Sequence, residues 1–157
     1  HLSDNKLLKL KSSFQFGLEV IYLYKNNFQS IKKNFFSNKN LSSINSLNLQ
    51  FNQISTIEPK SFEFFENLEL LEISSNCLVK IKKEMIFGLN NLKNFNLESN
   101  TIILIENNSF QNLKNLITLN LKSNFLTFIG GKIFDGLENL EELNLASNQI
   151  RSLKLHN

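Results

Sequence analysis

Residues 92–115 read LKNFNLESNTIILIENNSFQNLKN, and residues 116–139 read LITLNLKSNFLTFIGGKIFDGLEN. Aligned with each other, the two stretches place apolar residues at positions 1, 4, 6, 11 and 14 and an Asn at position 9. The same landmarks recur in stretches that begin at residues 44, 68 and 140. A period of 24 residues therefore runs through the chain, and a period of this length indicates an array of small structural repeats.

The regularity of the pattern excludes an accident of composition. Only 41% of the residues are apolar, yet all 25 sites at these five positions are apolar, an outcome with a chance probability on the order of 10⁻¹⁰. The recurring position-9 residues, with a first member in a unit that carries a two-residue insertion, are Asn26, Asn52, Asn76, Asn100, Asn124 and Asn148.

The repeats account for the whole chain as one array. We predict a partial repeat at residues 1–17, followed by repeats at 18–43, 44–67, 68–91, 92–115, 116–139 and, incomplete, 140–157. The array begins and ends in the middle of a repeat and carries no capping segment, so we expect it to be a fragment of a longer protein.

Each unit has the physical signature of a short strand followed by a turn. Apolar residues at positions 4 and 6, with a mostly polar residue between them, show the alternation of a strand. A strand that recurs at every unit must stack in parallel on its neighbours, and the remaining apolar positions then point into a continuous core. The Asn at position 9 lies where the chain turns, and its amide can bond backbone groups that the turn leaves unpaired.

These residues closely resemble the leucine-rich repeat pattern LxxLxLxxNxLxxLxxxxFxxLxx, in particular the typical 24-residue subfamily found in animal extracellular receptors and adhesion proteins. The resemblance implies an α/β-type repeat solenoid, a horseshoe with a concave parallel β-sheet and a convex side of extended and 3₁₀ turns. It also implies an Asn ladder and a stack of Phe residues at position 19, which Ile86 interrupts.

Composition and motifs give no support for catalysis. The two histidines, His1 and His156, are expected at opposite tips of the solenoid, and Cys77 is the single cysteine. One cysteine excludes an internal disulfide framework and a Cys-based zinc cluster. The carboxylates that could be considered as an acid/base pair are Glu141 and Glu142 and the lone Glu72 and Glu98. We expect nothing to enclose or desolvate them. We therefore predict no catalytic residue, no metal, no cofactor and no enzymatic activity.

A partner is expected on the concave sheet, where positions 3, 5 and 7 face outward between the buried apolar residues. The predicted partner-binding residues are Tyr22, Tyr24, Asn48, Gln50, Leu70, Glu72, Asn96, Glu98, Asn120 and Lys122. Two alternatives stay open. The column of Asn residues can reflect an Asn-rich composition, and the two Tyr can cover a neighbouring cap instead of a ligand.

The predicted function is a protein-interaction module of an extracellular receptor or adhesion protein that binds a protein ligand on its concave face. Asn40 and Asn107 each begin an N-glycosylation sequon, although two sequons are no more than chance supplies in this composition. Nucleic acid is not expected as a partner, because a net charge of +3 is spread over scattered Lys residues. This segment is not expected to contact a membrane, and its oligomeric state cannot be read from the sequence. The alternatives are an intracellular leucine-rich repeat scaffold or regulatory subunit, and the recognition region of a larger enzyme such as a receptor kinase.

Overall fold

The protein is described from a computed structural model that covers residues 1–9, 17–36 and 41–155. One sheet of six short parallel strands runs along the array. In spatial order its strands are β1 (Val20–Tyr22), β3 (Ser46–Asn48), β5 (Leu70–Glu72), β7 (Asn94–Asn96), β9 (Thr118–Asn120) and β11 (Glu142–Asn144).

The register of the sheet repeats the register of the sequence. Leu47 lies opposite Leu71, and Leu71 lies opposite Phe95, so residues at the same position of successive units are neighbours. Each strand is followed in space by the strand of the next unit, and the segment between the two crosses over outside the sheet, as a parallel pair requires. The predicted fold, a leucine-rich repeat solenoid with a concave parallel sheet, is confirmed.

The strands are short because the backbone turns immediately before each position-9 Asn. The residue at position 8 has a left-handed conformation in all six units, with φ between 52° and 56°. These residues are Lys25, Phe51, Ser75, Ser99, Ser123 and Ser147. A left-handed residue interrupts a strand and redirects the chain, so every unit leaves the sheet at the same point.

The far side of the solenoid consists of short extended segments and turns, as predicted. Six strands pair there as β2 (Ser30–Ile31) with β4 (Thr56–Ile57), β6 (Lys80–Ile81) with β8 (Leu104–Ile105), and β10 (Phe128–Gly131) with β12 (Ser152–Leu155). A 3₁₀ helix spans Lys83–Ile86, and turns fill much of the rest of the described far side. In the described ranges, no helix has the length and apolar character needed to cross a membrane.

The core follows the repeat pattern. The Leu and Ile residues of positions 1, 4 and 6 are buried in the inner units. At position 19, Phe110 stacks on Phe134 with ring centroids 6.5 Å apart and planes 7° apart. Phe36 and Phe62 approach to 6.1 Å, and Ile86 separates the two aromatic pairs as a buried aliphatic side chain.

The last unit departs from the prediction that all repeat positions are buried. Leu143 is 37% exposed and Leu153 is 57% exposed, whereas Leu119, at the position of Leu143 one unit earlier, is 0% exposed. The reason is geometric: a solenoid residue is covered by the units on both sides, and within this structure the last unit has a neighbour on one side alone.

Candidate binding face

The position-9 Asn side chains hold the turns that end the strands. The Nδ2 group of Asn76 donates to the carbonyl oxygens of Ile73 and Ser74 in its own turn, each at 3.1 Å, and to that of Leu49 in the preceding unit at 3.0 Å. Its Oδ1 accepts a bond of 2.9 Å from the backbone N–H of Ile54. One buried amide therefore satisfies backbone groups of two successive units.

This arrangement repeats along the array. Asn52, Asn100, Asn124 and Asn148 each donate to the preceding unit and accept from it in the same way. For Asn26, the residues before the first full unit take the place of a preceding repeat, because Leu2 offers the carbonyl and Leu7 offers the N–H.

A second row of Asn side chains lies at the other end of the strands and was not predicted. These residues stand at position 24, directly before the first Leu of the next unit, and each donates to a backbone carbonyl 25 residues earlier. They are Asn67, Asn91, Asn115 and Asn139. Their 24-residue spacing is present in the sequence and would have identified them.

Positions 3, 5 and 7 of the six units form a surface over the sheet, which we call the sheet face. The ten predicted partner-binding residues all lie on it, because each occurs at position 3, 5 or 7 of its unit. They are half-buried, and Ser74 at position 7 is buried, with 5% of its surface exposed. The structure thus places the predicted residues on one surface, and their contact with a partner stays a prediction.

The aromatic end of the sheet face is partly covered by the start of the chain. The His1 ring stacks on Tyr22 with centroids 4.3 Å apart, and Tyr22 meets Tyr24 edge to face at 6.4 Å. The backbone N–H groups of Leu2 and Asp4 donate to the carbonyl oxygens of Tyr22 and Tyr24. Both Tyr side chains remain half-exposed.

Asn residues at position 5 have a local role that the sequence-based alternatives did not include. Oδ1 of Asn48, Asn96, Asn120 and Asn144 accepts the backbone N–H of the residue at position 7 of the same unit, at 2.9–3.1 Å. An Asn side chain that bonds the backbone two residues on stabilises a turn. In Asn96 and Asn120 the Nδ2 group donates at the same time to a carboxylate of the preceding unit, that of Glu72 and Glu98 respectively.

Glu72 is the centre of a network of side chains across three units. Its Oε2 accepts hydrogen bonds from Nε2 of Gln50 at 2.9 Å and from Nδ2 of Asn96 at 3.0 Å. Gln50 also donates to Oγ of Ser74 at 2.9 Å, so this buried hydroxyl has a hydrogen-bond partner. The three polar side chains around Glu72 are therefore held in fixed positions before any partner binds.

Glu98 forms a second network on the adjoining strands. Its Oε2 accepts from Nδ2 of Asn120 at 3.0 Å, and its Oε1 lies 3.0 Å from Nζ of Lys122. The hydrogen bonds from Lys122 and Asn120 lower the pKa of Glu98. Glu98 therefore stays ionised, with its charge compensated on the sheet face.

Glu72 has the opposite electrostatic behaviour. Burial raises the pKa of its carboxyl, and repulsion from Glu98 adds to this effect, against the hydrogen bonds from Asn96 and Gln50 that lower the pKa. The expectation that nothing desolvates this carboxylate is wrong, because Glu72 is half-buried and this burial raises the pKa of its carboxyl.

An exposed apolar strip away from the sheet face, partly on the far-side strands β8 and β10, was also missed. It follows the position-9 turn and comprises Val79, Ile103, Leu104, Phe125 and Phe128, which are 41–54% exposed. Apolar residues at positions 12 and 13 in consecutive units, with Phe125 at position 10, are the sequence signal for this strip, because in this part of the unit positions 11 and 14 supply the core.

The structure locates one of the two sequons. Asn107 is exposed, and its Oδ1 accepts a 3.2 Å bond from the backbone N–H of Lys132. Ser109, the third residue of the sequon, is buried and donates to the carbonyl oxygens of Ile81 and Glu106. Asn40 and His156 lie outside the described residues.

Within residues 1–9, 17–36 and 41–155, no group of three or more His, Cys, Asp or Glu side chains is arranged to hold a metal ion. Cys77 is an exposed free thiol. The chemistry that the sheet face offers is thus that of hydrogen bonding, ion pairing and aromatic contact.

Comparisons with known proteins agree with this architecture. The family model described as Leucine rich repeat matches residues 16–78, 42–102, 66–125 and 91–150, which together cover most of the chain. A search of curated protein sequences found no significant match.

Two solved structures are similar to the chain. One is TLR13 in a TLR13–ssRNA13 complex, with a TM-score of 0.76 and 30% identity over 83% of this chain and 19% of that chain. The other is a leucine-rich repeat protein of Leptospira interrogans, with a TM-score of 0.72 and 29% identity over 85% of this chain and 32% of that chain. The chain thus spans from about a fifth to about a third of the length of these proteins.

Proposed function

The chain belongs to the leucine-rich repeat family, and from that premise we propose that it is a protein-binding module whose sheet face contacts a protein ligand. Leucine-rich repeats are generally non-enzymatic interaction modules. We propose further that it is the recognition part of an extracellular receptor or adhesion protein.

The observation that carries the proposal is the order of the polar side chains on the sheet face. Gln50, Glu72 and Asn96 are fixed by mutual hydrogen bonds of 2.9–3.0 Å, and Asn120, Glu98 and Lys122 are fixed in the same way. Side chains that are already ordered lose little conformational entropy when a partner binds. A surface of this kind favours binding of a partner with matching polar groups.

A protein is favoured over a nucleic acid by the charge of the same surface. Nucleic acid is bound mainly through basic side chains that neutralise its phosphates. The sheet face has three acidic side chains, Glu72, Glu98 and Glu142, and one basic side chain, Lys122. TLR13 was crystallised with a single-stranded RNA, and for this chain we propose a protein partner instead.

A peptide selection tests the binding proposal with ligands drawn from a random library. Random peptides of about 12 residues are displayed on phage and selected on the immobilised chain, and Kd values of the selected peptides are measured by calorimetry. Leu70→Ala removes apolar surface from the sheet face, and Val79→Ala removes it from the exposed apolar strip. We expect Leu70→Ala to weaken binding about fivefold or more and Val79→Ala to change Kd less than about twofold.

The reverse result, with Val79→Ala weakening binding and Leu70→Ala having no effect, would move the binding site to the apolar strip. A selection that yields no binder would also contradict the proposal. Circular dichroism of both variants must show an unchanged fold, so that a loss of binding can be assigned to the surface.

The extracellular assignment is supported by the resemblance to the typical subfamily and by the exposure of Asn107. The intact mass of the native protein, measured before and after enzymatic deglycosylation, tests it. A glycan at Asn107 together with a cleaved secretion signal is the expected result. An unglycosylated chain without signal processing would favour the intracellular scaffold.

A further inference from the structure

The sheet face differs in charge from the rest of the chain. Three acidic side chains and one basic side chain give it a net charge of −2, while the whole chain has 17 basic and 14 acidic side chains and a net charge of +3. The remaining residues therefore hold 16 basic and 11 acidic side chains, a net charge of +5. The residues of the proposed binding surface are thus acidic in a chain that is basic as a whole.

The ion pairs of the structure sharpen this contrast. The one basic side chain of the sheet face, Lys122, is paired with Glu98 at 3.0 Å. Glu72 and Glu142 form no ion pair with any residue that the structure describes. The uncompensated charge of the sheet face is thus entirely negative.

Glu72 is the better placed of these two carboxylates to receive a ligand group. Two amides fix its Oε2, whereas its Oε1 accepts no hydrogen bond within the described part of the chain. No buried side-chain nitrogen or oxygen there lacks a partner, so Oε1 must be open to solvent. The result is a half-buried carboxylate, held in one orientation, with one oxygen available at the centre of the sheet face.

We propose that the protein ligand presents a basic side chain, Arg or Lys, that pairs with Oε1 of Glu72 between the amides of Gln50 and Asn96. The inference rests on the proposed function and names the chemistry of the partner at the same site. Charge complementarity between a fixed, partly desolvated carboxylate and a cation gives both specificity and a charge-assisted hydrogen bond.

The electrostatic surroundings of Glu72 support this pairing. Glu98 is the charged group that faces it from the adjoining strand, and Gln50 and Asn96 are neutral. Because burial raises the pKa of Glu72, the carboxylate is less stable alone than an ordinary one, and an approaching cation relieves that penalty. Binding should weaken as the pH falls through the raised pKa of Glu72, at a higher pH than protonation of Glu98 would cause.

The test uses the phage-displayed random peptides with two matched variants. Glu72→Gln removes the charge at the centre of the sheet face and keeps the shape of the side chain. Glu84→Gln removes the same charge from an exposed position in the 3₁₀ helix on the far side. We expect selected peptides to be enriched in Arg and Lys, and their Kd to rise about tenfold with Glu72→Gln and less than about twofold with Glu84→Gln.

Two outcomes of this test would overturn the inference directly: peptides with no enrichment in basic residues, and a Kd that is the same for wild type and Glu72→Gln. If those peptides still lose affinity when Tyr22 and Tyr24 are both replaced by Ala, the protein-binding function stands and the cationic contact alone fails. Displacement of the peptides by a single-stranded RNA of about 12 nucleotides would overturn the inference by making nucleic acid the partner. An affinity that does not change between about pH 7 and pH 4.5 would also contradict the assignment of Glu72.

Discussion

Replacement of Asn76 by Ala removes one member of the Asn ladder from the middle of the array. The residue is 6% exposed, and its side chain bonds four backbone groups in two units. If these side chains hold the turns that end the strands, their removal must cost stability even though no apolar contact of the core is lost.

The loss of stability can be estimated from the hydrogen bonds that each backbone partner of Asn76 keeps after the substitution. The N–H of Ile54, in a fully buried residue, has no other acceptor in the described structure, and an orphaned buried donor costs about 1–3 kcal/mol. The carbonyl oxygens of Leu49 and Ile73 keep a second donor, Asn52 and Asn100 respectively, so the lost donor bonds together add about 1 kcal/mol. We expect Asn76→Ala to lower the free energy of unfolding by about 2–4 kcal/mol.

Equilibrium unfolding in urea, followed by circular dichroism, measures this loss as a shift of the midpoint at constant slope. Asn94→Ala is the matched control, because Asn94 is an exposed Asn on strand β7 whose side chain makes no hydrogen bond within the described residues. The control should change stability by less than about 0.5 kcal/mol. Equal effects of the two variants, or a loss below about 1 kcal/mol for Asn76→Ala, would refute the structural role of the ladder.

Replacing both Tyr22 and Tyr24 by Ala is expected to weaken binding of a selected peptide by more than about 2 kcal/mol and to leave the fold intact. A change in Kd of less than about twofold, measured by calorimetry, would contradict this. Because burial raises the pKa of Glu72, the folded state disfavours the charged form of its carboxyl. Glu72→Gln should therefore be at least as stable as wild type near pH 7. Any advantage of the variant should vanish as the pH falls through the raised pKa, because wild-type Glu72 then becomes neutral. Thermal melts near pH 7 and pH 4 check this, and a variant that is less stable near pH 7 would refute it. Gly88→Ala should cost more stability than Gly17→Ala, although both glycines have positive φ, 100° and 85°. A Cβ at Gly88 would lie 2.8 Å from backbone atoms of the preceding unit, whereas no atom of the residues that the structure describes lies within 4 Å of a Cβ at Gly17. We expect losses of about 2 kcal/mol or more and about 1 kcal/mol respectively in urea unfolding.

The fold could be predicted from the sequence because one physical constraint repeats in every unit. Leu47, Leu71 and Leu119 each occupy the position that must be buried between neighbouring units, so the period sets the sheet, its parallel register and its core. The exposure of Leu143 depends on how many neighbouring units cover the last unit. The repeat pattern is the same in every unit and gives no information on that number.

The chemistry of the sheet face was less predictable, because it depends on contacts between units. The pattern places Glu72 on the sheet face, but it does not show that Gln50 and Asn96 converge on one of its oxygens or that the carboxyl is thereby half-buried. For Asn120 the pattern offers two reasons for the Asn, an Asn-rich composition or contact with a ligand. The structure adds a third, because its side chain accepts a hydrogen bond from the backbone N–H of Lys122. Such roles require the distances between side chains on adjacent strands.

The claim that the sheet face is the binding surface is tested most directly by blocking it. In a Cys77→Ser background, a Cys is introduced at Asn94 on the sheet face or at Glu84 on the far side, both exposed positions. Each thiol is then modified with a polyethylene glycol maleimide, and binding of the selected peptides is measured before and after modification. We predict that the polymer at residue 94 weakens binding by about tenfold or more and that the polymer at residue 84 has less than about a twofold effect. Unchanged binding with the polymer at residue 94 would contradict the account.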